Sequence, residues 1–135
     1  MDILLLDSDQ ERRRRLLEAI DLLGCVRSIR LCGTLAETRT MARHGSFTVA
    51  LVGPEVPEHS LAAITFLRGL LPSTLLIAYD SFDRYDASKQ QRILDAGANA
   101  VFDVRFSAMK IAMLLRPLLQ GSVNEMESPV QSVAA

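Results

Sequence analysis

Acidic side chains follow three of the apolar runs in this chain. Asp7 and Asp9 come directly after residues 3–6, Glu55 follows residues 47–52, and Asp80 follows residues 74–78. Grouped carboxylates can bind a hard divalent cation such as Mg²⁺, and a single carboxylate can act as a nucleophile toward phosphorus. These side chains would form one acidic pocket if the fold brings the ends of the three runs together.

Five apolar runs alternate with five stretches of helical periodicity. The runs, read as strands, are residues 3–6, 26–32, 47–52, 74–78 and 100–104. The helices are predicted to start after Ser8 or Asp9, at residues 35, 60 and 87, and after Ser107, because of their capping residues and 3.6-residue spacing. Strict alternation with short connections predicts an α/β fold of three layers, with a parallel sheet in the flavodoxin-like order 2-1-3-4-5. That order places the carboxyl ends of strands 1, 3 and 4 side by side.

The chain divides into two parts by composition. Residues 1–120 carry the alternating pattern and are predicted to form one (βα)5 domain. Residues 121–135 are small and polar without periodicity, so we expect the last helix to end near Gln120 and a flexible linker or tail to follow.

Residues 1–120 resemble the receiver domain of two-component response regulators. The resemblance is carried by the acidic cluster at residues 3–9, the loop at residues 53–57 that ends in a proline, and the Ala-Gly-Ala turn at residues 95–100. It implies five functional positions: a first and a second acid after strand one that help to bind a divalent cation, a phospho-accepting Asp, a Ser or Thr hydroxyl after strand four and a Lys after strand five.

Four of these five positions have lost their chemistry here. Gly53 stands at the phospho-accepting position, Ser8 at the second acid, Ala78 at the hydroxyl and Val104 at the lysine. Asp7 remains, with Asp9 one step out of register. The resemblance therefore implies a pseudo-receiver without catalytic residues, metal or cofactor. Glu55 is either a built-in negative charge near the pocket or a solvated loop acid.

The last predicted helix is unusually apolar. Its stripe is wider than packing on one face of a sheet requires, which favours a protein interface, although an ordinary core helix is the alternative. The resemblance implies a face formed by helix 4, strand 5 and helix 5. The predicted interface residues are Lys89, Arg92, Asp95, Asp103, Arg105, Met109, Met113, Leu115 and Arg116.

Two functional hypotheses follow. The first is a non-enzymatic, phosphorylation-independent signalling module that forms a homodimer or binds a partner protein, and that could be the N-terminal regulatory domain of a larger transcriptional regulator. The alternative is a small-ligand-binding or residual enzymatic domain that uses the space beside Gly53, with Asp7, Asp9, Glu55 and Asp80 around it.

Composition bears on partners and location. The 135 residues have a net charge of -1, so no overall basic field favours nucleic acid. Arg12 to Arg15 are predicted to be a solvated helix face with ion pairs to Glu11 and Glu18. The chain has no apolar run of membrane-spanning length, its first residues lack the basic start of a signal peptide, and its two cysteines are too few for a disulfide framework. We therefore expect a cytoplasmic protein that does not bind membranes or nucleic acid directly.

Overall fold

The computed structural model describes residues 1–54, 60–81 and 87–127. Five strands and five helices alternate, as predicted. In chain order they are β1 (Asp2–Leu6), α1 (Gln10–Leu23), β2 (Ser28–Cys32), α2 (Leu35–His44), β3 (Val49–Val52), α3 (Ser60–Leu70), β4 (Leu75–Asp80), α4 (Ala87–Asp95), β5 (Ala100–Asp103) and α5 (Ala108–Glu127).

The five strands form one parallel sheet in the order β2-β1-β3-β4-β5, which confirms the predicted topology. Leu6 of β1 pairs with Val52 of β3, and Val52 pairs with Ala78 of β4. The central strands are apolar because both of their faces are covered, whereas the edge strand β2 is largely exposed. The residues that follow β1 and β3 therefore lie next to the end of β4.

Each face of the sheet carries its own apolar core. Leu5 and Leu51 point to the side of α1 and α5, where they join Leu16 and Ile111. The neighbouring positions along the same strands, such as Leu6, point to the other side, where α3 and α4 supply the buried side chains. This alternation follows from the two-residue period of a strand, and it determines which side chain at each strand end reaches which face.

Helix ends follow the predicted capping residues. The Asp9 carboxylate accepts a hydrogen bond from the Arg12 backbone N–H at 2.9 Å, and α1 ends at Gly24, whose φ of 68° suits a residue without a Cβ. The Ser107 hydroxyl accepts a hydrogen bond from the Lys110 N–H at 3.2 Å. The N-cap of α1 thus lies two residues beyond Asp7, and the helix begins at the next residue, Gln10.

β2 and β3 each begin two residues later than predicted, at Ser28 and Val49, and two further boundary differences change which side chains reach the site or the core. β4 continues to Asp80, because Tyr79 is buried and its ring lies against Phe102 with centroids 5.4 Å apart. α5 continues through Pro117 to Glu127, so the backbone of residues 121–127, predicted as linker, is helical. Leu119, beyond the proline, is buried in the core and holds this part of the helix against the domain.

In the described ranges, no helix has the length and apolar character needed to cross a bilayer.

Candidate functional site

The carboxyl ends of β1, β3 and β4 meet at one edge of the sheet. The Gly53 N–H donates a hydrogen bond to the Leu6 carbonyl at 2.8 Å, which places Gly53 beside the start of the loop after β1. Asp7 lies at the centre of this edge, and its side chain is fully buried, with 0% exposure. A buried carboxylate requires hydrogen bonds or an opposite charge, so its partners define the chemistry of the site.

Three groups surround the Asp7 carboxylate. Arg12 of α1 binds it in bidentate fashion, with Nε 2.9 Å from Oδ2 and Nη2 2.9 Å from Oδ1. The Tyr79 hydroxyl donates to Oδ2 at 2.7 Å, and the Asp9 N–H donates to Oδ1 at 2.9 Å. Each oxygen therefore accepts two hydrogen bonds, and the charge of Asp7 is balanced within the protein.

The space beside Gly53 is filled. A Cβ at this position would lie 2.5 Å from Asp7 Oδ2, 2.6 Å from its Cγ and 2.9 Å from the Tyr79 hydroxyl, well inside contact distance. The expectation that the missing side chain leaves room for a ligand is wrong at this point, since the Asp7 carboxylate and the Tyr79 hydroxyl occupy that room. Glu55, predicted to lie near the pocket, is outside the described residues.

Tyr79 replaces Ala78 as the β4 residue at the site. The resemblance to receiver domains places the Ser or Thr hydroxyl of that family at Ala78. In the structure, Ala78 packs in the core on the opposite face of the sheet, among residues such as Leu67. The next residue, Tyr79, points to the Asp7 side and supplies a hydroxyl. Burial, together with the Asp7 carboxylate, raises the pKa of the Tyr79 phenol well above its ordinary value, which keeps it protonated as a donor.

The arginine run is only partly a solvated face. Arg14 does pair with Glu11, at 2.7 Å, and with Glu18. Arg12 instead turns inward to Asp7, and the Arg13 Nε donates to the Asp7 backbone carbonyl.

Arg15 extends the same network to the far side of the sheet. Its Nη1 donates to the Val104 carbonyl at 2.9 Å. The Val104 side chain is buried in the apolar core, where it offers no charge. Three of the four arginines therefore bind the ends of β1 and β5.

The remaining polar residues at this edge have structural partners. Asp9 caps α1, and Ser8 is exposed. Asp80, at the end of β4, forms an ion pair with Lys89 of α4 at 2.9 Å. This ion pair ties α4 to the carboxyl end of β4.

A divalent cation does not fit this arrangement. Both Asp7 oxygens are already engaged by three protein donors, and Ser8 contributes no carboxylate. Magnesium needs several oxygen ligands in a near-octahedral arrangement. Within residues 1–54, 60–81 and 87–127, no three His, Cys, Asp or Glu side chains are placed to hold a metal ion together.

The predicted interface residues fall into two surfaces and a core position. Leu115 is 1% exposed and packs in the core, so its assignment to an interface is wrong. Met109, Met113 and Arg116 line a groove with Leu22 of α1, away from α4 and β5. The others lie on or beside α4 and β5, where they make local ion pairs and hydrogen bonds or are exposed: Lys89, Arg92, Asp95, Asp103 and Arg105.

Solved structures share this architecture. A response regulator from Thermotoga maritima superposes with a TM-score of 0.76 at 15% sequence identity, covering 88% of this chain and 97% of that chain. The chain has the receiver-domain fold. A CheY-like receiver domain protein from Methanospirillum hungatei JF-1 gives 0.74 at 18% identity, with coverages of 92% and 97%.

The same fold is also found as one part of a longer chain, and comparisons of the sequence alone find no match. NtrX from Brucella abortus gives a TM-score of 0.79 at 13% identity, and the match covers 93% of this chain but only 28% of NtrX. No family model and no curated protein matches the sequence. The receiver fold is thus retained at identities where side-chain chemistry is free to differ.

Two residues of the site, Arg12 and Tyr79, were not predicted from the sequence. The signal for Arg12 was the N-cap at Asp9, which places position 12 in the first turn of α1, facing back toward the end of β1. The signal for Tyr79 was weaker, because it required that β4 extend past Ala78. Together they convert the acidic edge of a receiver fold into a closed hydrogen-bonded cluster.

Proposed function

We propose that this chain is a phosphorylation-independent, receiver-like module of two-component signalling, a pseudo-receiver that acts through protein contacts. The observation that carries the proposal is the filled space beside Gly53. A phosphorylatable site would need a nucleophile there, room for a phosphoryl group and a cation to balance its charge. Here glycine supplies no nucleophile, and the Asp7 carboxylate, already paired with Arg12, takes the room.

The proposal extends to the setting of the module. The match covers 28% of NtrX, so this fold occurs there as one part of a longer chain, which supports the proposal that this chain is the N-terminal regulatory domain of a larger transcriptional regulator. Its cysteines, Cys25 and Cys32, form no disulfide, which is consistent with a reducing cytoplasm. Without a phosphorylation step, its contacts with a partner protein or a second copy would be controlled by the concentration of this chain and by the domains to which it is covalently joined in a larger protein.

Acetyl phosphate provides the direct test. The full chain is incubated with acetyl phosphate and Mg²⁺, and its intact mass is measured beside that of a receiver that retains its acceptor aspartate. We expect the control protein to gain one phosphoryl group and this chain to gain none. A stable mass increase on this chain would contradict the proposal, and peptide mapping would then identify the accepting residue.

The substitution Gly53→Asp is predicted not to restore phosphorylation. Its Cβ would overlap Asp7 Oδ2, and a second carboxylate would be forced next to the first. We expect a loss of stability of about 1–3 kcal/mol, typical of overpacking, and no phosphoryl uptake. Chemical denaturation and the same mass assay measure both. Efficient uptake by Gly53→Asp would show that the Asp7 cluster opens readily.

A further inference from the structure

Exposed apolar side chains concentrate where α1 and α5 lie side by side. Met109 is 59% exposed, Met113 is 67% exposed, and Leu22 at the end of α1 is 46% exposed. Met109, Met113, Arg116 and Gln120 follow one stripe of α5, because spacings of four, three and four residues return to the same side of a helix. Large exposed apolar side chains that adjoin one another indicate a contact surface.

The stripe borders a groove. Leu22 of α1 and the α5 stripe enclose a groove of about 510 Å³, whose floor includes Ala112. Methionine adapts its shape to irregular partners, and two methionine side chains, Met109 and Met113, line the groove. The same surface therefore carries both a hollow and the side chains that could fill it in a second copy, which is the requirement for a two-fold symmetric contact.

Side chains of opposite charge lie near the groove, one on α5 and one on α1. Arg116 on α5 is exposed and, within the described part of the chain, makes no hydrogen bond or ion pair. Glu18 is exposed on α1 one turn before Leu22, where within one copy it forms an ion pair with Arg14. A two-fold axis that lays α5 of one copy across α1 of the other would bring Arg116 near Glu18 twice. The net charge of -1 adds little repulsion between copies.

We infer that the groove between α1 and α5, with Leu22, Met109, Met113 and Arg116, is the homodimer interface of this chain. The inference rests on the proposed function, because the contact must form without a phosphoryl group. It moves the expected contact from the face of α4, β5 and α5 to the opposite flank of α5. The occupant of the groove is Met113 of the second copy, and its rim carries the Glu18–Arg116 ion pairs.

A concentration series with matched variants tests the interface. Sedimentation equilibrium of the full chain is compared with Met113→Glu on the groove side and Leu114→Glu on the other flank, where Leu114 is 38% exposed. We expect a wild-type dimer, a dissociation constant raised about tenfold or more in Met113→Glu, and little change in Leu114→Glu. A monomeric wild type at all concentrations, or dissociation by Leu114→Glu alone, would overturn the inference.

A charge exchange gives a second readout that does not depend on burying a new charge. Arg116→Glu and Glu18→Arg are each expected to weaken the dimer, and the double variant is expected to restore much of it. A double variant as weak as the singles would contradict the predicted pairing across the two-fold axis. Melting curves from circular dichroism confirm that each variant is folded.

The same samples separate the two proposals. After incubation with acetyl phosphate and Mg²⁺, a gain of mass would defeat the proposed function whatever the oligomeric state. A monomer that takes up no phosphate would defeat only the inferred dimer. Dimerisation that appears only after phosphoryl uptake would defeat both.

Discussion

Asp7 has a structural role at the carboxyl edge of the sheet. Its side chain is completely buried, and its stability there depends on Arg12, Tyr79 and the Asp9 N–H. A buried ion pair gains little over an apolar pair of the same shape, but removal of one partner leaves an uncompensated charge. Asp7 is therefore a structural carboxylate whose charge is balanced by other groups of the same chain.

Arg12→Met is predicted to lower the free energy of unfolding by about 3–5 kcal/mol, because it leaves the Asp7 charge buried without its cation. In an Asp7→Asn background the same change should cost much less, since no charge remains to be balanced. Urea unfolding of the two single variants and the double variant measures this coupling. Equal costs in the two backgrounds would show that Arg12 does not compensate Asp7.

The control for this cycle is Arg14→Met. Arg14 belongs to the same run, but its ion pairs with Glu11 and Glu18 are exposed. Exposed pairs contribute little to stability, so we expect no substantial change.

Tyr79→Phe is predicted to cost about 1.5–3 kcal/mol at neutral pH, because it removes a donor to a buried carboxylate. The effect also depends on pH. Below the unfolded pKa of about 10, both states keep the phenolic proton, and the contribution is constant. Above it, the unfolded chain releases the proton while folded Tyr79, with its raised pKa, retains it. Stability of the wild type should therefore fall relative to Tyr79→Phe as the pH rises past this value.

Unfolding measured across alkaline pH in both proteins checks this sign. The chain has two tyrosines and no tryptophan, so Tyr85→Phe leaves Tyr79 as the only phenol whose ionisation changes the ultraviolet absorbance. A Tyr79 phenol that titrates at its ordinary pKa would contradict its burial beside Asp7.

At the scale of elements, the sequence predicted most of what the structure shows. Capping by Asp9 and Ser107, together with the left-handed Gly24, marks helix ends that depend on local interactions. The end of β4 was misplaced because Tyr79 is held in the strand by Phe102 and Asp7, which are remote in sequence. The end of α5 was misplaced because contacts beyond Pro117 outweigh the local preference to stop there.

Two glycines at the ends of neighbouring elements should respond oppositely to alanine. Gly69 in α3 has open space around a new Cβ, so Gly69→Ala should stabilise the protein by about 0.5–1 kcal/mol. Gly97 has a φ of +128°, and its Cβ would lie 2.9 Å from the Cβ of Arg68. Gly97→Ala should therefore destabilise by about 1–3 kcal/mol.

Thermal melting of this pair is internally controlled, because both variants add the same methyl group. A stabilising effect at Gly97 would mean that the turn before β5 relaxes without disturbing Arg68. The Arg68 side chain donates to the Gly97 and Thr74 carbonyls at 2.8 and 3.0 Å, so a shift of Arg68 away from the new Cβ would also disturb the start of β4.

At the scale of the whole molecule, the strand order could be predicted from the sequence, but the rotation of α5 against its neighbours could not. The order of the strands follows from alternation and handedness alone. Which flank of α5 presents Met109 and Met113 depends on how the helix is rotated against α1, and Leu115 was misassigned for the same reason. Helical periodicity identifies a stripe but not the neighbour beside it.

Magnesium and beryllofluoride are predicted to leave the melting temperature unchanged. A ligand present at about 100 times its dissociation constant would stabilise the native state by about 2.7 kcal/mol, a readily visible shift. Because Asp7 is saturated by protein donors and Gly53 offers no acceptor, we expect no such shift. A melting temperature that rises only when both additives are present would show that the cluster can be opened.

The packing around Gly53 also constrains how this protein could change over evolutionary time. An aspartate at position 53 would collide with Asp7, and removal of the Tyr79 hydroxyl or of Arg12 first would weaken the fold before any catalytic gain. Each single step toward phosphotransfer therefore passes through a less stable intermediate. Such a barrier would hold the chain in the phosphorylation-independent state proposed above, and further sequence change in the domain would then be selected through its protein contacts.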